Sequence, residues 1–377
     1  MASSDSTPDI TIPADLLPVD GRFGSGPSKI RTAAVAALAD TGSGYLGTSH
    51  RKEGVRSVVR RVREGLSTLF ALPEGHEVIL GNGGATTFWD AAAFGLIEEQ
   101  SQHLCFGEFS SKFAAVVEGA PHIQDPQRIV SDPGTHPEAT ADPTVDLYAL
   151  TQNETSSGVA MPIRRPERSS GLVAVDATSA AGGMRIDPDA YDVYYFAPQK
   201  CFASDGGLWL ALCSPAAIGR IEKLSTTERW QPPSLSLATA LDNSRRDQTY
   251  NTPALATLFL LAEQLDWMLD NGGLEWAARR CETSSSTLYE WAESHKAAEP
   301  FVDDPASRSP VNVTIDFDDW IDAATVAAVL RENGILDTEP YRKLGRNQLR
   351  IACYPAIEPD DITALTRCVD HVIERLS

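Results

Sequence analysis

Residues 194–212 read YYFAPQKCFASDGGLWLAL. A single lysine, Lys200, lies between two apolar runs that read as adjacent buried strands. Lysine is almost never fully buried unless something pairs with it, so this position asks for a partner. The SDGG that follows allows backbone to pack closely beside it.

Working outward, apolar strand-like runs alternate with helically spaced segments over most of the 377 residues. That alternation predicts an α/β fold, a mainly parallel sheet with helices on its faces. EVILGNGG (77–84) is a strand ending in a glycine turn, and TTFWDAAAFGLIEE (86–99) is a helix. HLCF (103–106) is a short strand, and FSSKFAAVVEG (109–119) is helical. DLYALTQNETSSG (146–158) is a strand running into a polar loop, and GLVAVDATSAAGG (171–183) repeats that plan. Pro27 is expected to open a helix through SKIRTAAVAALAD. Residues 54–71 and 251–269 are also helical in spacing. Beyond about residue 275 a helix leads to VNVTIDF, AATVAAVLREN, NQLRIACY and a final helix from Asp360, which predicts a smaller α+β domain. The expected organisation is a polar N-terminal tail over 1–20, a large domain over 21–274 and a small C-terminal domain over 275–377.

Composition narrows the function. The formal charge of −20 disfavours nucleic acid, whose phosphates need a surplus of Lys and Arg on the contact face. No apolar run approaches the length of a membrane span, and no basic segment precedes an apolar one near the start, so neither a membrane partner nor a secretory signal is expected. Cys105, Cys201, Cys213, Cys281, Cys353 and Cys368 form no CxxC pair. They read as buried hydrophobes of a cytoplasmic protein, and no metal is expected.

Four features lie where open α/β sheets place chemistry, at the C-terminal ends of strands. GNGGATT (81–87) is a strand, a glycine turn and a helix start, which makes an anion cradle from free N–H groups. By itself it reads as a glycine turn with a threonine cap. Asp176 closes GLVAVD, either as a turn acid or as a carboxylate that keeps a ring nitrogen protonated. Lys200 closes VYYFAPQ, either with its head reaching water or as a desolvated, imine-forming amine. In TQNETSSG, Asn153 and Thr155 are turn residues or ligand contacts. Taken together, a phosphate cradle, an acid for a pyridine nitrogen and an imine-forming lysine are what pyridoxal phosphate needs. A covalent partner for Lys200 answers the question of its burial.

The order SGPSKI, TSHRKEG, NET, VDATSAAGG, APQK, NTPALATLFLLAEQLDWMLDNGG and LRIACYPAIE, from residue 23 to the C-terminus, resembles the phosphoserine aminotransferase family. That family lies within the class V aminotransferases of the fold-type-I pyridoxal-phosphate enzymes, and the pattern is most similar to its actinobacterial branch. The resemblance implies roles for individual residues. Lys200 is the catalytic lysine and proton shuttle, and Asp176 pairs with the pyridine nitrogen. Phe109 takes the ring-stacking position, and Thr155 meets the 3′-oxygen. Ala85, Thr86 and Gln199 hold the phosphate, joined by Asn251 and Thr252 from the other subunit of a homodimer. His50 and Arg51, also from the partner, bind the distal anion of the substrate. Arg350 clamps the α-carboxylate, and Arg342 adds a phosphate contact.

This sequence departs from the family at three places. It has GGATT where many members have an arginine after the glycines, Phe109 where tryptophan is usual, and Tyr341-Arg342 where His-Arg is common. The activity implied is transfer of the amino group from glutamate to 3-phosphohydroxypyruvate, giving phosphoserine and 2-oxoglutarate in serine biosynthesis. The resemblance leaves 4-phosphohydroxythreonine, of pyridoxine biosynthesis, open as a second product. The alternatives are a serine– or alanine–glyoxylate aminotransferase of the same class and a non-enzymatic pyridoxal-phosphate-binding protein. His50-Arg51 and the basic YRKLGR favour a doubly anionic substrate over the glyoxylate enzymes.

Overall fold

A computed structural model of the chain describes residues 7–376; residues 1–6, where the expected polar tail begins, and Ser377 lie outside the described residues. After an extended segment come α1 (Thr32–Asp40) and α2 (Glu53–Leu69), then β1 (Glu77–Gly83), α3 (Ala85–Gly95), β2 (Ser101–Cys105), α4 (Glu108–Glu118) and β3 (Gln127–Val130). β4 (Leu147–Thr151) leads through a small hairpin, β5 (Asn153–Glu154) and β6 (Val159–Ala160), to β7 (Leu172–Asp176), β8 (Val193–Phe196) and β9 (Gly207–Cys213). Helices α5 (Pro215–Ser225), α6 (Leu237–Ser244), α7 (Leu255–Asp270) and α8 (Gly273–Ser294) precede a second sheet. That sheet holds β10 (Ala298–Pro300), β11 (Asn312–Phe317) and β12 (Gln348–Ala352), with α9 (Ala323–Glu332) inserted and α10 (Pro359–Leu376) closing the chain.

The large sheet runs β1-β9-β8-β7-β4-β2-β3. The pairs from β8 through β7, β4 and β2 to β3 are parallel, and β9 is reversed against both β8 and β1. The two runs flanking Lys200 do pair, from Val193 opposite Cys213 to Phe196 opposite Leu210. Side chains alternate between faces along each strand. Tyr148, Leu150, Val173, Val175, Tyr194 and Phe196 join the core that also holds Val62, Leu66, Leu261 and Leu265 of α2 and α7. Leu147, Ala149, Leu172, Ala174, Val193 and Tyr195 face the opposite core, with Phe88 of α3 and Ile221 of α5. Burial on both faces is why these strands read as unbroken apolar runs. In α2 the buried valines and leucines recur at three and four residues, and arginines occupy the other face.

The second sheet is antiparallel, β10-β11-β12. Its apolar cluster includes Val313 and Ile315 of β11, Val326 and Leu330 of α9, and Leu365 and Val369 of α10. Residues 10–20 run against this part of the molecule. Asn333 Nδ2 donates to the Ile10 carbonyl (2.8 Å), Asn333 Oδ1 accepts from Ile12 N–H (2.9 Å), and Asp361 accepts from Val19 N–H (2.8 Å). Ile12 itself is buried.

Several boundaries differ from expectation. Helix α1 begins at Thr32, not after Pro27, because Arg31 is still extended and Ser28 N–H donates to the Gln199 carbonyl. Strand β8 ends at Phe196, so Lys200 sits in the following turn rather than on the strand. Helix α7 starts at Leu255, which leaves Asn251 and Thr252 in a loop. Strand β3, the β5–β6 hairpin and helices α5 and α6 have no counterpart in the sequence reading. Among the described residues no helix is long and apolar enough to cross a membrane, and no cluster of His, Cys, Asp or Glu could hold a metal.

Candidate active site

Parallel strands bring their C-terminal ends to one edge of the sheet. Thr151 at the end of β4 is opposite Asp176 at the end of β7, and Asp176 is opposite Tyr195 of β8. Because β9 is reversed, its first residue, Gly207, meets Gly83 at the end of β1. A cleft of about 390 Å³ opens at this edge, lined by Ala85, Thr86, Phe109, Thr155, Asp176, Gln199 and Lys200, together with Trp89, Thr178 and Ser179.

Lys200 is buried. Its Nζ donates to the Ser25 carbonyl (2.7 Å), which also accepts from the Tyr354 hydroxyl (2.9 Å). Ser28 Oγ donates to the Lys200 carbonyl (2.6 Å), so SGPS braces the lysine turn from both sides. Burial pulls the ammonium pKa from 10.5 down to about 8, and Arg350 pushes the same way. A free amine at that pKa is an available nucleophile near neutral pH.

Gly26 has to be glycine for this geometry. A Cβ there would lie 2.8 Å from Lys200 Nζ and 2.9 Å from Cε, and its φ is +138°. Gly26→Ala should therefore displace the amine. Expected is a fall of about 10²-fold in kcat, the scale of a 1 Å misplacement, with unchanged far-ultraviolet circular dichroism. Wild-type kcat in that variant would show that the amine tolerates the shift.

Asp176 faces the cleft from the end of β7. Oδ1 accepts from Thr178 N–H (2.9 Å) and Oδ2 from Trp89 Nε1 (3.2 Å). Burial pushes its pKa up, and these donors pull part of the way back. Trp89 Nε1 also reaches the Tyr195 hydroxyl at 3.0 Å.

The two helix starts at the cleft differ. Helix α3 begins at Gly84 with no side-chain cap and no acid in its first turn. Its first N–H groups, with the helix dipole, suit an anion. The start of α4 is closed by Glu154, which is fully buried. Its carboxylate accepts from Phe109 N–H (3.2 Å), Ser110 N–H (3.0 Å) and the Ser110 and Ser156 hydroxyls (3.0 and 2.7 Å). Glu154 therefore ties the Thr155 loop to Phe109. Thr155 Oγ1 and Asn153 Nδ2 both reach Ser179 Oγ at 2.8 Å.

Asn153 Oδ1, Thr178 Oγ1 and Gln199 Oε1 are buried without a partner, and all three residues line the cleft. Buried polar atoms are normally satisfied, so the cleft is built for a polar ligand. With Lys200, Asp176 and the open start of α3, this donor and acceptor set fits pyridoxal phosphate.

The other expected residues lie outside the cleft. Arg350, half-buried on β12, reaches the Thr155 carbonyl with Nη1 (3.3 Å) and lies 5.3 Å over the Tyr341 ring, while its Nε is buried without a partner. Arg342 is exposed on the loop before β12. His50, Arg51, Asn251 and Thr252 form a separate outer group. His50 Nδ1 lies 3.0 Å from Thr252 Oγ1, and Arg51 donates to Gln248 (2.9 Å). Asn82 ties this group to the end of β1 by donating to the Thr252 carbonyl (2.9 Å).

Residues 23–337 match the class-V aminotransferase family model. The chain belongs to the class-V aminotransferase family. It is 59% identical over 372 residues to a phosphoserine aminotransferase of Rhodococcus jostii, covering 98% of this chain and 99% of the relative. Among solved structures it resembles a phosphoserine aminotransferase from Cytophaga hutchinsonii (TM-score 0.85, 23% identity, 93% of this chain and 99% of that one). It also resembles a pyridoxal-phosphate-bound phosphoserine aminotransferase from Trichomonas vaginalis (TM-score 0.79, 18% identity, 93% and 99%). At these identities the two structures speak for the fold alone.

Several cleft residues of this aminotransferase escaped the sequence reading. Trp89 reads as an apolar helix residue, and only the fold shows its indole N–H on Asp176. Glu154 and Ser25-Gly26 were visible as parts of NET and SGP, but nothing in those strings signals a helix cap or a lysine brace. Tyr354 and Ser179 had no signal beyond their neighbours.

Proposed function

We propose that this aminotransferase transfers the amino group of glutamate to 3-phosphohydroxypyruvate with pyridoxal phosphate as cofactor, giving phosphoserine and 2-oxoglutarate. The observation that carries the reading is the meeting, in one cleft, of a buried lysine amine, a buried carboxylate and an uncapped helix start. The high identity to phosphoserine aminotransferases over nearly the whole chain supports the choice of substrates.

When bound, the cofactor supplies an electron sink for charge at the substrate α-carbon. Lys200 would hold its aldehyde carbon. With the substrate amine in that place, Lys200 Nζ would be the group positioned to take the α-proton, and its depressed pKa raises the share of neutral amine able to accept one. Asp176 would keep the ring nitrogen protonated. Phe109 would lie against the ring, and Thr155 would meet its 3′-oxygen. The N–H groups of Ala85 and Thr86, with Gln199, would hold the phosphate.

The outer group of His50, Arg51, Asn251 and Thr252 is assigned to the site of a second subunit, which makes the working unit a homodimer. Asn251 and Thr252 would reach the cofactor phosphate, and His50 and Arg51 the distal anion of the substrate. Arg350 would clamp the α-carboxylate, since its guanidinium has unused donor capacity over Thr155. Six buried free thiols suit a reducing cytoplasm.

The test is a visible spectrum of the purified holoenzyme. Glutamate should bleach the cofactor band and 3-phosphohydroxypyruvate should restore it. A band that glutamate leaves untouched would overturn the reading. Arg350→Ala should lower kcat/KM by roughly 10–10²-fold for both substrates, the scale of a charge-assisted hydrogen bond. A loss confined to one substrate would remove Arg350 from the α-carboxylate.

A further inference from the structure

One residue before Phe109, which lines the cleft, Glu108 holds two lysines. Its Oε1 is paired with Lys343 Nζ, and Lys112 Nζ lies 3.1 Å from the same oxygen. Lys343 belongs to the loop 341–346, and that loop is seated against the cleft. Tyr341 lies 6.0 Å from the Phe109 ring, and the Arg350 guanidinium lies 5.3 Å over the Tyr341 ring. Lys200 Nζ is 5.8 Å and Lys112 Nζ 5.6 Å from the Phe109 ring, so one aromatic ring is shared by the reacting amine and an outer cation.

Both lysines are well exposed, at 64% and 47% of their side chains, while Glu108 is mostly covered, at 19%. The two ammonium groups hold the Glu108 carboxyl below its ordinary pKa, so it is charged at working pH. Exposed ion pairs of this kind are held weakly. A phosphate dianion offers a lysine more charge and more acceptor oxygens than one carboxylate does.

We propose that Lys343 is a specificity-determining residue for the phosphorylated substrate, and that Glu108 is the internal anion holding it at the lip until a phosphate tail displaces it. The assignment rests on the proposed activity. A singly charged carboxylate tail competes with Glu108 on equal terms and gains little. A dianionic tail competes at an advantage.

The two half-reactions provide an internal reference. Lys343→Met should lower the ratio of kcat/KM for 3-phosphohydroxypyruvate to that for glutamate by about tenfold, the effect of losing one charge-assisted contact. Glu108→Gln keeps the size of the side chain and removes the competing charge, so it should raise the same ratio about threefold. Inorganic phosphate, as a competitive inhibitor of the holoenzyme, should bind more weakly in Lys343→Met and more tightly in Glu108→Gln. Wild-type turnover of both substrates with ratios and phosphate inhibition unchanged in both variants would overturn this assignment alone. A wild-type enzyme that accepts glutamate but not 3-phosphohydroxypyruvate would overturn the proposed activity, and this assignment with it.

Discussion

Lys200→Met should abolish transamination while making the cofactor-free protein more stable at neutral pH. The catalytic loss is expected to be at least about 10⁴-fold, because it removes both a covalent anchor and a positioned base. The gain in stability follows from burial. The ammonium pKa falls from 10.5 to about 8 on folding, so below pH 8 the folded chain carries a proton it holds poorly. Between pH 8 and 10.5 the unfolded chain binds more protons than the folded one, and stability rises with pH across that window. Above it the penalty is gone. Methionine carries no such penalty at any pH. Its advantage is therefore full below pH 8 and vanishes toward 10.5. The gross effect is roughly 3 kcal/mol, offset by about 1 kcal/mol for the lost bond to the Ser25 carbonyl. Thermal unfolding of the two cofactor-free proteins at pH 7 and pH 10.5 checks this. A methionine variant that melts below wild type at pH 7 would refute the depressed pKa. In wild type, the rate of cofactor reloading should rise with pH through about 8, as the neutral amine appears.

The strands that build the cleft were legible because both faces of the sheet are covered. LVAVD ended visibly at Asp176, and VYYF was visible as a strand although its end was read at Lys200, four residues past Phe196. Strand β3 was not legible. It is an edge strand of four residues, QRIV, half exposed, and neither periodicity nor length distinguishes it from a loop. Helix α5 did carry a signal, Ser214 capping the Ala217 N–H ahead of Pro215, which the apolar run before it concealed. In the site, a lysine after a strand and an acid at a strand end are local facts of sequence. The partner of Lys200 is not local. It is a backbone carbonyl 175 residues away, which no side-chain pattern encodes. Trp89 was illegible for a different reason, since an indole that packs and an indole that also donates to a carboxylate look alike in sequence. His50, Arg51, Asn251 and Thr252 came from family resemblance. Their grouping outside the cleft joins residues about 200 positions apart, which local periodicity does not carry.

Asp176→Asn should separate cofactor binding from folding. In the cofactor-free protein the carboxylate is buried at the end of β7, with its pKa raised by that burial. An acid whose folded pKa is raised loses stability as pH climbs from its ordinary carboxylate value toward the raised one, so at neutral pH the buried acid is a liability. Asparagine removes the charge but presents an amide N–H₂ to one of two donors, Thr178 N–H or Trp89 Nε1. That mismatch costs about 1–3 kcal/mol and opposes the relief of the charge, so the melting temperature of the cofactor-free variant should move less than its cofactor affinity does. The cofactor-bound protein should behave differently. A protonated ring nitrogen beside Asp176 would form a buried ion pair, and removing one partner of such a pair costs about 3–5 kcal/mol. Cofactor affinity should therefore fall by about two to four orders of magnitude, and kcat should fall with it because the electron sink is weakened. Absorbance titration of the cofactor-free variant with pyridoxal phosphate measures the first effect, and stopped-flow with glutamate the second. Wild type should also lose affinity as pH falls through the raised pKa of Asp176, a limb that the asparagine variant lacks. An asparagine variant that binds cofactor as tightly as wild type, with the same dependence on pH, would mean that Asp176 serves the turn and Trp89 rather than the ring.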